Sequence, residues 1–333
     1  METPADFEVV DDAPSARAAE TEAMVRAAWL YFIGEMNQSE IADRLGLSRV
    51  KVNRLIAAAR SEGVVDVRIV HPSIALIELE NRMCHAYGLD SCRVVPTAGD
   101  GGAESEIDKR FVAIAAAETL ARGVAQKPEG VFALSWGTTM AAVAHAYRGA
   151  RAPRARFVSV MGSLTRKAAS NPYEVVHRIA ERTGGEGYFI PAPYLADTMA
   201  DREVLMAQRT VRTSLDLARS ADLAMSGVTE ATPNSFLVAQ KLVTIEELED
   251  CRANGAVGSF AGLFFDRDGR FVDCDVNRRR VGVSGETFRG LNTVGIAAGR
   301  SKIESVLAAL RGGVFRHLVT DEAVARGLLA EAG

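Results

Sequence analysis

The sequence predicts an α/β protein in two parts: an N-terminal winged helix-turn-helix over residues 21–71 and a larger Rossmann-like parallel-sheet domain over 91–331. Three observations predict it. Short helical segments punctuated by Gly34 and Gly46 precede an alternating, β-branched run, Val64–Val70. Beyond Leu89, short β-branched runs alternate with alanine-rich helical stretches, the texture of parallel strands covered by helices on both faces. Charge is also partitioned: residues 1–25 carry a net −6, residues 26–71 a net +2, and the remainder sums to zero, so the overall −4 conceals three separate electrostatic units.

Taken in order, residues 1–20 lack hydrophobic periodicity and contain Pro4 and Pro14, which suits a mobile acidic leader. From Thr21, the apolar residues Met24, Ala27, Ala28, Tyr31 and Phe32 recur at helical spacing up to Gly34. Asn37 or Gln38 can cap a second helix with Ile41, Ala42 and Leu45 inward, Gly46 breaks it, and Ser48 caps a third, Arg49–Arg60, that Gly63 ends. Val64–Val70 reads as the wing strand, and Ile74, Ile77, Leu79 and Met83 as a linker helix over 72–90. Strands are expected at Cys92–Val95, Val131–Leu134, Phe157–Met161, Gly187–Ile190, Asp222–Ser226, Ala261–Phe265, Asn292–Ile296 and His317–Val319.

Composition excludes several classes. With 48% apolar and 25% charged residues in 333, the chain is neither disordered nor low in complexity. No apolar run approaches the ~20 residues of a membrane helix. The acidic start Met1–Asp6 lacks an apolar signal core, so a cytoplasmic location is expected. Cys84, Cys92, Cys251 and Cys274 are dispersed, with no histidine at ligand spacing, so neither a disulfide framework nor a metal site is expected, and no cofactor is implied.

Placed at 100° per residue, the third helix puts Val52, Leu55, Ile56 and Ala59 on one stripe. Its cations Arg49, Lys51, Arg54 and Arg60 are accompanied by no acid, although acids outnumber bases in the whole chain. The second helix of such a motif lies in the major groove, where arginine pairs with guanine, asparagine with adenine and small apolar groups with the thymine methyl. Arg49, Lys51, Asn53 and Arg54 are therefore the expected base- or phosphate-reading residues, with Gln38 and Ser48 at helix starts suited to phosphate oxygens. A solvated basic face on an ordinary helical element is the competing reading of the same residues.

Three loops follow expected strands: Ser135–Thr139, Gly162–Ser163 and Gly299–Lys302. Glycines allow tight turns there, backbone N–H groups and hydroxyls at a helix start can cradle an anion, and Lys302 is placed like a phosphate clamp. In an open parallel sheet such loops share the carboxyl end, where ligands gather. Asp100, Glu104, Glu106 and Asp108 read as a solvated loop and helix start, Asp197 and Asp201 cannot be oriented, the five histidines form no pair, and Arg278–Arg280 reads as a surface turn.

The segment Gln38–Gly63, continuing to Ile69, resembles the DNA-binding end of the SorC family of bacterial sugar-responsive transcription regulators (SorC/DeoR type). Ser135–Met140, Gly255–Gly258 with Phe264–Gly269, Val294–Lys302, Ala308–Gly313 and Leu318–Glu322 resemble later motifs of that family, so the likeness covers about residues 22–330. It implies a body similar to the sugar-phosphate isomerase/deaminase (NagB/RpiA/CoA transferase-like) fold, binding a phosphorylated sugar or polyol, with operator DNA as partner and a homo-oligomer, usually a tetramer. By that resemblance Gly137, Thr138, Thr139 and Lys302 hold the phosphate, and Gly162, Ser163, Gly258 and Ser259 face the sugar. Two residues depart from the pattern: Ser259 stands where many relatives carry an acid, and Met161 where some carry a lysine or arginine, which excludes a Schiff base there. The competing class is a sugar-phosphate isomerase or deaminase with an added N-terminal module, but no carboxylate or histidine is readable beside the anion loops.

Overall fold

A computed structural model describes residues 16–66, 74–97, 106–163 and 174–332. The chain divides into two compact units at residues 71 and 72. The first contains α1 (Ala16–Phe32), α2 (Gln38–Leu45) and α3 (Arg49–Ser61). Met24, Ala27, Ala28 and Leu30 of α1 bury against Ile41 and Ala42 of α2 and against Val52, Leu55, Ile56 and Ala59 of α3, the stripe expected from the sequence. Full burial of each large aliphatic side chain contributes about 1.5–3 kcal/mol, which is how three short helices hold together. Because α1 begins at Ala16, residues 16–20 are helical rather than part of a leader; residues 1–15 lie outside the described set. Val64–Asp66 are not in a strand, and the rest of the expected wing, 67–70, lies outside the described residues.

The second unit runs α4 (Ile74–Tyr87), β1 (Ser91–Val95), α5 (Glu106–Gln126), β2 (Val131–Leu134), α6 (Thr138–Ala146), β3 (Arg156–Ser159), α7 (Val175–Thr183), β4 (Glu186–Tyr188), α8 (Met199–Ala207), α9 (Arg209–Arg219) and β5 (Leu223–Glu230). It continues through α10 (Phe236–Ala239), α11 (Ile245–Ala253), β6 (Gly258–Phe260), β7 (Leu263–Phe265), α12 (Asp275–Arg279), α13 (Gly285–Gly290), β8 (Thr293–Ile296), α14 (Ile303–Arg311), β9 (His317–Asp321) and α15 (Glu322–Glu331). A 3₁₀ turn, Arg300–Lys302, leads into α14.

Seven strands pair in parallel in the order β1-β9-β8-β5-β2-β3-β4. The central strands β2 and β8 are buried at every position, which is why they read as continuous apolar runs. Phe132 and Phe157, adjacent on β2 and β3, stack with ring centroids 5.4 Å apart. From β2 the chain winds outward through β3 to β4, and from β5 it winds the other way through β8 to β9, so the topological switch point lies between β5 and β2. In open parallel sheets ligands gather outside the carboxyl ends of the strands that flank such a point.

Three expectations need correction. The single strand expected at Ala261–Phe265 is instead a hairpin of β6 and β7, turning on Ala261 (φ 48°) and Gly262 (φ 72°), and β5 extends to Glu230 to pair with it antiparallel. Arg279 and Arg280 are 8% and 3% exposed, so the Arg278–Arg280 run is no surface turn. Arg279 joins Glu247 and Asp275, while Arg280 donates to the carbonyls of Ala261 and Val283, and burial lowers its guanidinium to about 10. The cysteines are not all apart: the Sγ atoms of Cys251 and Cys274 lie 2.9 Å from each other, and with Asp250 their ligand atoms fall within 4.8 Å, a juxtaposition hidden by a separation of 23 positions.

Candidate functional site

In the first unit the N-termini of α2 and α3 converge. Asn37 caps α2, accepting from the N–H groups of Ser39 (3.0 Å) and Glu40 (3.1 Å), while Glu40 closes a capping box back onto the Asn37 N–H. Gly46 ends the helix at φ 65°, and Ser48 Oγ accepts from Lys51 N–H at 3.2 Å to start α3. These caps stand where the sequence placed them.

Arg49, Lys51, Asn53 and Arg54 are all exposed on the side of α3 opposite its buried stripe. Gln38, half-buried, donates to Asn53 Oδ1 at 3.3 Å, which joins the two helix starts. A cavity of about 550 Å³ between them is lined by Tyr31, Asn37, Gln38, Ser39 and Arg49. The cations differ in their engagement. Lys51 pairs with Glu20 of α1 at 2.9 Å, and Arg60 lies over the Phe32 ring, whereas Arg49 and Arg54 have no carboxylate partner among the described residues.

In the second unit the loops after β2, β3 and β8 do lie at the carboxyl end of the sheet. Gly137, at φ 120°, precedes α6 in a backbone conformation that favours glycine, and its carbonyl accepts from Ala141 as the helix begins. Thr138 is exposed, and Thr139 packs against Gly227 of β5, so the start of α6 sits at the switch point. Gly162 has a different reason to be glycine: a Cβ there would stand 2.3 Å from the Pro193 carbonyl oxygen. Gly258 is similarly crowded by Ser305, and Ser259, 2% exposed, lies opposite Thr229 in the hairpin pairing.

A cavity of about 410 Å³ opens beyond β3 and β4, lined by Trp136, Ser159, Met161, Ser163, Glu174 and the run Phe189–Pro193. Of the residues expected at the ligand, Ser163 is the one in that lining; Lys302, Thr138, Thr139, Gly258 and Ser259 are not. Trp136 was legible as part of a loop but not as a wall. Its indole N–H donates to the Gly162 carbonyl at 2.9 Å, and its ring meets Tyr194 edge-on with centroids 5.5 Å apart. Tyr194 in turn donates to the Gly262 carbonyl at 2.8 Å, and Arg280 holds the neighbouring Ala261 carbonyl. The cavity wall and the β6–β7 hairpin are thus braced by one set of buried donors.

Lys302 is not an unengaged clamp. It forms an ion pair with Glu230, at 16% and 14% side-chain exposure, and Ser301 Oγ donates to the other Glu230 oxygen at 2.6 Å. Glu230 ends β5 opposite Gly258 of β6. Sequence reasoning missed it because 72 residues separate the partners and nothing local marks the strand's last residue as acidic for a purpose. Glu106 and Asp108 occupy the first turn of α5 as expected, although Asp108 is buried rather than solvated; Asp201 sits in the first turn of α8 beside its cap Thr198, and Asp100 and Glu104 lie outside the described residues.

A family model described as "Putative sugar-binding domain" matches residues 71–330. The chain is 37% identical over 307 residues to the erythritol catabolism regulatory protein EryD of Brucella abortus (strain 2308), covering 92% of this chain and 96% of that protein. The chain belongs to the SorC family. Its likeness extends to the transcriptional regulator LsrR of Enterobacter sp. (strain 638), 30% identical over 320 residues and 94% of each chain. The full-length sorbitol operon regulator SorC of Klebsiella pneumoniae shares the fold, with a TM-score of 0.66 at 23% identity over 93% of this chain and 99% of that one. As a SorC-family member the protein pairs the helical unit of α1–α3 with the sugar-binding unit, and the cavity beside Trp136 lies within the matched region.

Proposed function

We propose that the protein is a DNA-binding regulator of a carbohydrate or polyol catabolic operon, controlled by a small carbohydrate held at the carboxyl end of the sheet. The observation that carries the reading is the outer face of α3: capped by Ser48, free of acids, and presenting Arg49, Lys51, Asn53 and Arg54 away from the core. In this reading Arg54 and Asn53 reach base edges, Arg49 and Lys51 meet phosphates or bases, and Gln38 and Ser48 fix the register on the backbone. The ligand, a phosphorylated sugar or a polyol, occupies the groove from Gly137–Thr139 across Gly162 and Ser163 toward Gly258, Ser259 and Lys302. Relatives matched over nearly their whole length are named as regulators, which favours this reading over a sugar-phosphate isomerase or deaminase. Among the described residues no helix is long and apolar enough to cross a membrane, which accords with action on DNA in the cytoplasm. A tetramer would engage several spaced half-sites at once, so that modest single contacts sum to useful affinity. Titration of the protein into DNA from its own upstream region, with and without sugars, polyols and their phosphates, tests the reading. Retardation that one carbohydrate shifts is expected; no retardation at low salt, together with turnover of a panel member, would reverse it.

A further inference from the structure

Several contacts join α11 to α12. Glu247 of α11 pairs with Arg279 of α12, Asp250 accepts from the Asp275 N–H at 3.1 Å, and the Cys251 thiol donates to the sulfur of Cys274, the N-cap of α12, at 2.9 Å. A disulfide bond of about 2.05 Å asks these sulfurs to approach by only about 0.9 Å more, whereas two thiolates on one zinc ion, at ~2.3 Å each, stand roughly 3.8 Å apart. The spacing therefore favours a bond between the sulfurs over a shared ion, although Asp250 offers a third ligand atom within 4.8 Å. The two thiols are not equivalent. The contact from Cys251 above all holds the Cys274 thiol below its ordinary value, against burial and with help from the N–H groups of Asn277 and Val276. The same contact, together with burial, pushes the Cys251 thiol up. Cys274 is thus the thiolate and Cys251 keeps its proton, the division that an attacking and a resolving cysteine need. Both residues are buried, at 0% and 1% exposure, but the Asp250 carboxylate beside them is exposed, so the sulfurs lie just under the surface. Burial of that kind keeps out bulky thiol oxidants and selects a small hydroperoxide.

We propose that Cys251 and Cys274 are a redox-modification site, which hydrogen peroxide closes to an intramolecular disulfide that fastens α11 to α12. The Cys274 sulfur attacks one peroxide oxygen, the O–O bond breaks, and the departing hydroxide takes up a proton as water, leaving a sulfenic acid on Cys274. The Cys251 sulfur then attacks the Cys274 sulfur, its proton leaves with the displaced hydroxide as a second water, and the S–S bond forms. The pair of thiols loses two electrons and one peroxide is reduced to two waters. A dithiol reductant reverses the closure by exchange through a mixed disulfide. The tie bears on the sugar-binding unit because α12 ends in Arg279, followed by Arg280, and these guanidiniums hold the Ala196, Ala261 and Val283 carbonyls.

The test is peptide mapping by mass spectrometry of the full chain before and after brief treatment with stoichiometric hydrogen peroxide, free thiols being alkylated during denaturation. The untreated chain is expected to show all 4 cysteines as free thiols. After treatment the Cys251 and Cys274 peptides are expected to be joined while Cys84 and Cys92 stay free, and dithiothreitol is expected to restore every thiol. The oxidised protein is expected to melt several degrees higher, an increase that the reductant removes. Cys251→Ser, which takes away the resolving thiol, is expected to stop at a sulfenic acid on Cys274 that dimedone traps, and Cys274→Ser to leave Cys251 unmodified. Thiols that all survive treatment, a bridge between Cys84 and Cys92 in place of this one, or sulfinic acid without a bridge overturns the proposal on the wild type alone, so a variant that fails to fold does not shield it. A purified chain carrying an equivalent of zinc that either serine variant loses overturns it in favour of a metal site. A bridge that leaves the melting temperature unchanged or lower overturns the fastening of α11 to α12.

Discussion

Among single residues, the cations of α3 are not equivalent, because their neighbours in the first unit differ. Arg54 is exposed without a carboxylate partner among the described residues, so none of those competes with a base for its guanidinium. Arg54→Ala is expected to weaken operator binding by ~1–3 kcal/mol and to relax preference at one base pair, with ligand affinity unchanged. A competition series across single-base operator variants checks it, and a uniform loss across all variants would make Arg54 a phosphate contact instead. Lys51 starts from a pair with Glu20 at 2.9 Å that DNA must break. Glu20→Gln releases that ammonium, so affinity for any duplex is expected to rise severalfold and the slope of log K against log salt to steepen by up to about one counterion. An unchanged slope would mean that Lys51 stays away from the phosphates. The basic face was legible because a helical wheel needs only spacing; the Glu20 pairing was not, since it joins residues 31 positions apart on two helices.

Among elements, the boundaries most readable in the sequence were those set by local chemistry. Ser48 and the Asn37 capping box mark helix starts because a side-chain oxygen satisfies an N–H that has no helical partner, and each such cap is worth about 1 kcal/mol. The parallel strands were readable because burial on both faces demands apolar, β-branched residues. The β6–β7 hairpin was not, because its turn places Ala261, a residue with a Cβ, at positive φ; the strain is tolerated where Arg280 and Tyr194 hold the two turn carbonyls. Lys302 was readable as a cation after a strand, but its acid partner entered through pairing of β5 with β6, which no local pattern announces. The seam between β1, β9 and β8 carries a pH signature. His317 on β9 lies between Ser91 and Asn292, and burial, helped by Arg316 and opposed by Asp90, holds its imidazole below the ordinary value of 6.5. The unfolded chain therefore binds the proton more readily than the folded one. This group's contribution to stability is complete above about pH 6.5 and is lost as pH falls from there through the lower folded-state value. Melting of wild type and His317→Gln between pH 7.5 and 5.5 is expected to show the larger fall for the wild type; parallel curves would remove His317 from the seam's pH response.

For the molecule as a whole, the two units communicate only if the ligand binds the DNA-competent and DNA-incompetent states with different affinity, and this places a quantitative bound on any mechanism. A ligand with equal affinity for both states shifts nothing, however tightly it binds. Typical couplings of ~1–3 kcal/mol correspond to changes of about 5–150-fold in operator affinity, and thermodynamic linkage requires the operator to change ligand affinity by the same factor. If the ligand fills the cavity beside Trp136, the buried bracing from Trp136 through Tyr194 to the β6–β7 hairpin is the part of the sugar-binding unit placed to report it, because the donors of that wall are committed to backbone carbonyls. Trp136→Phe keeps the ring and removes the indole donor to Gly162. It is expected to retain ligand binding within a few-fold while reducing the coupling factor, because a wall that no longer fixes the Gly162 loop transmits less of the binding difference. Measuring ligand affinity with and without operator, and operator affinity with and without ligand, for both proteins gives the factor twice over. A variant that loses ligand binding and coupling in equal measure would place Trp136 in the pocket alone, whereas full coupling with intact binding would remove the bracing from the signal path.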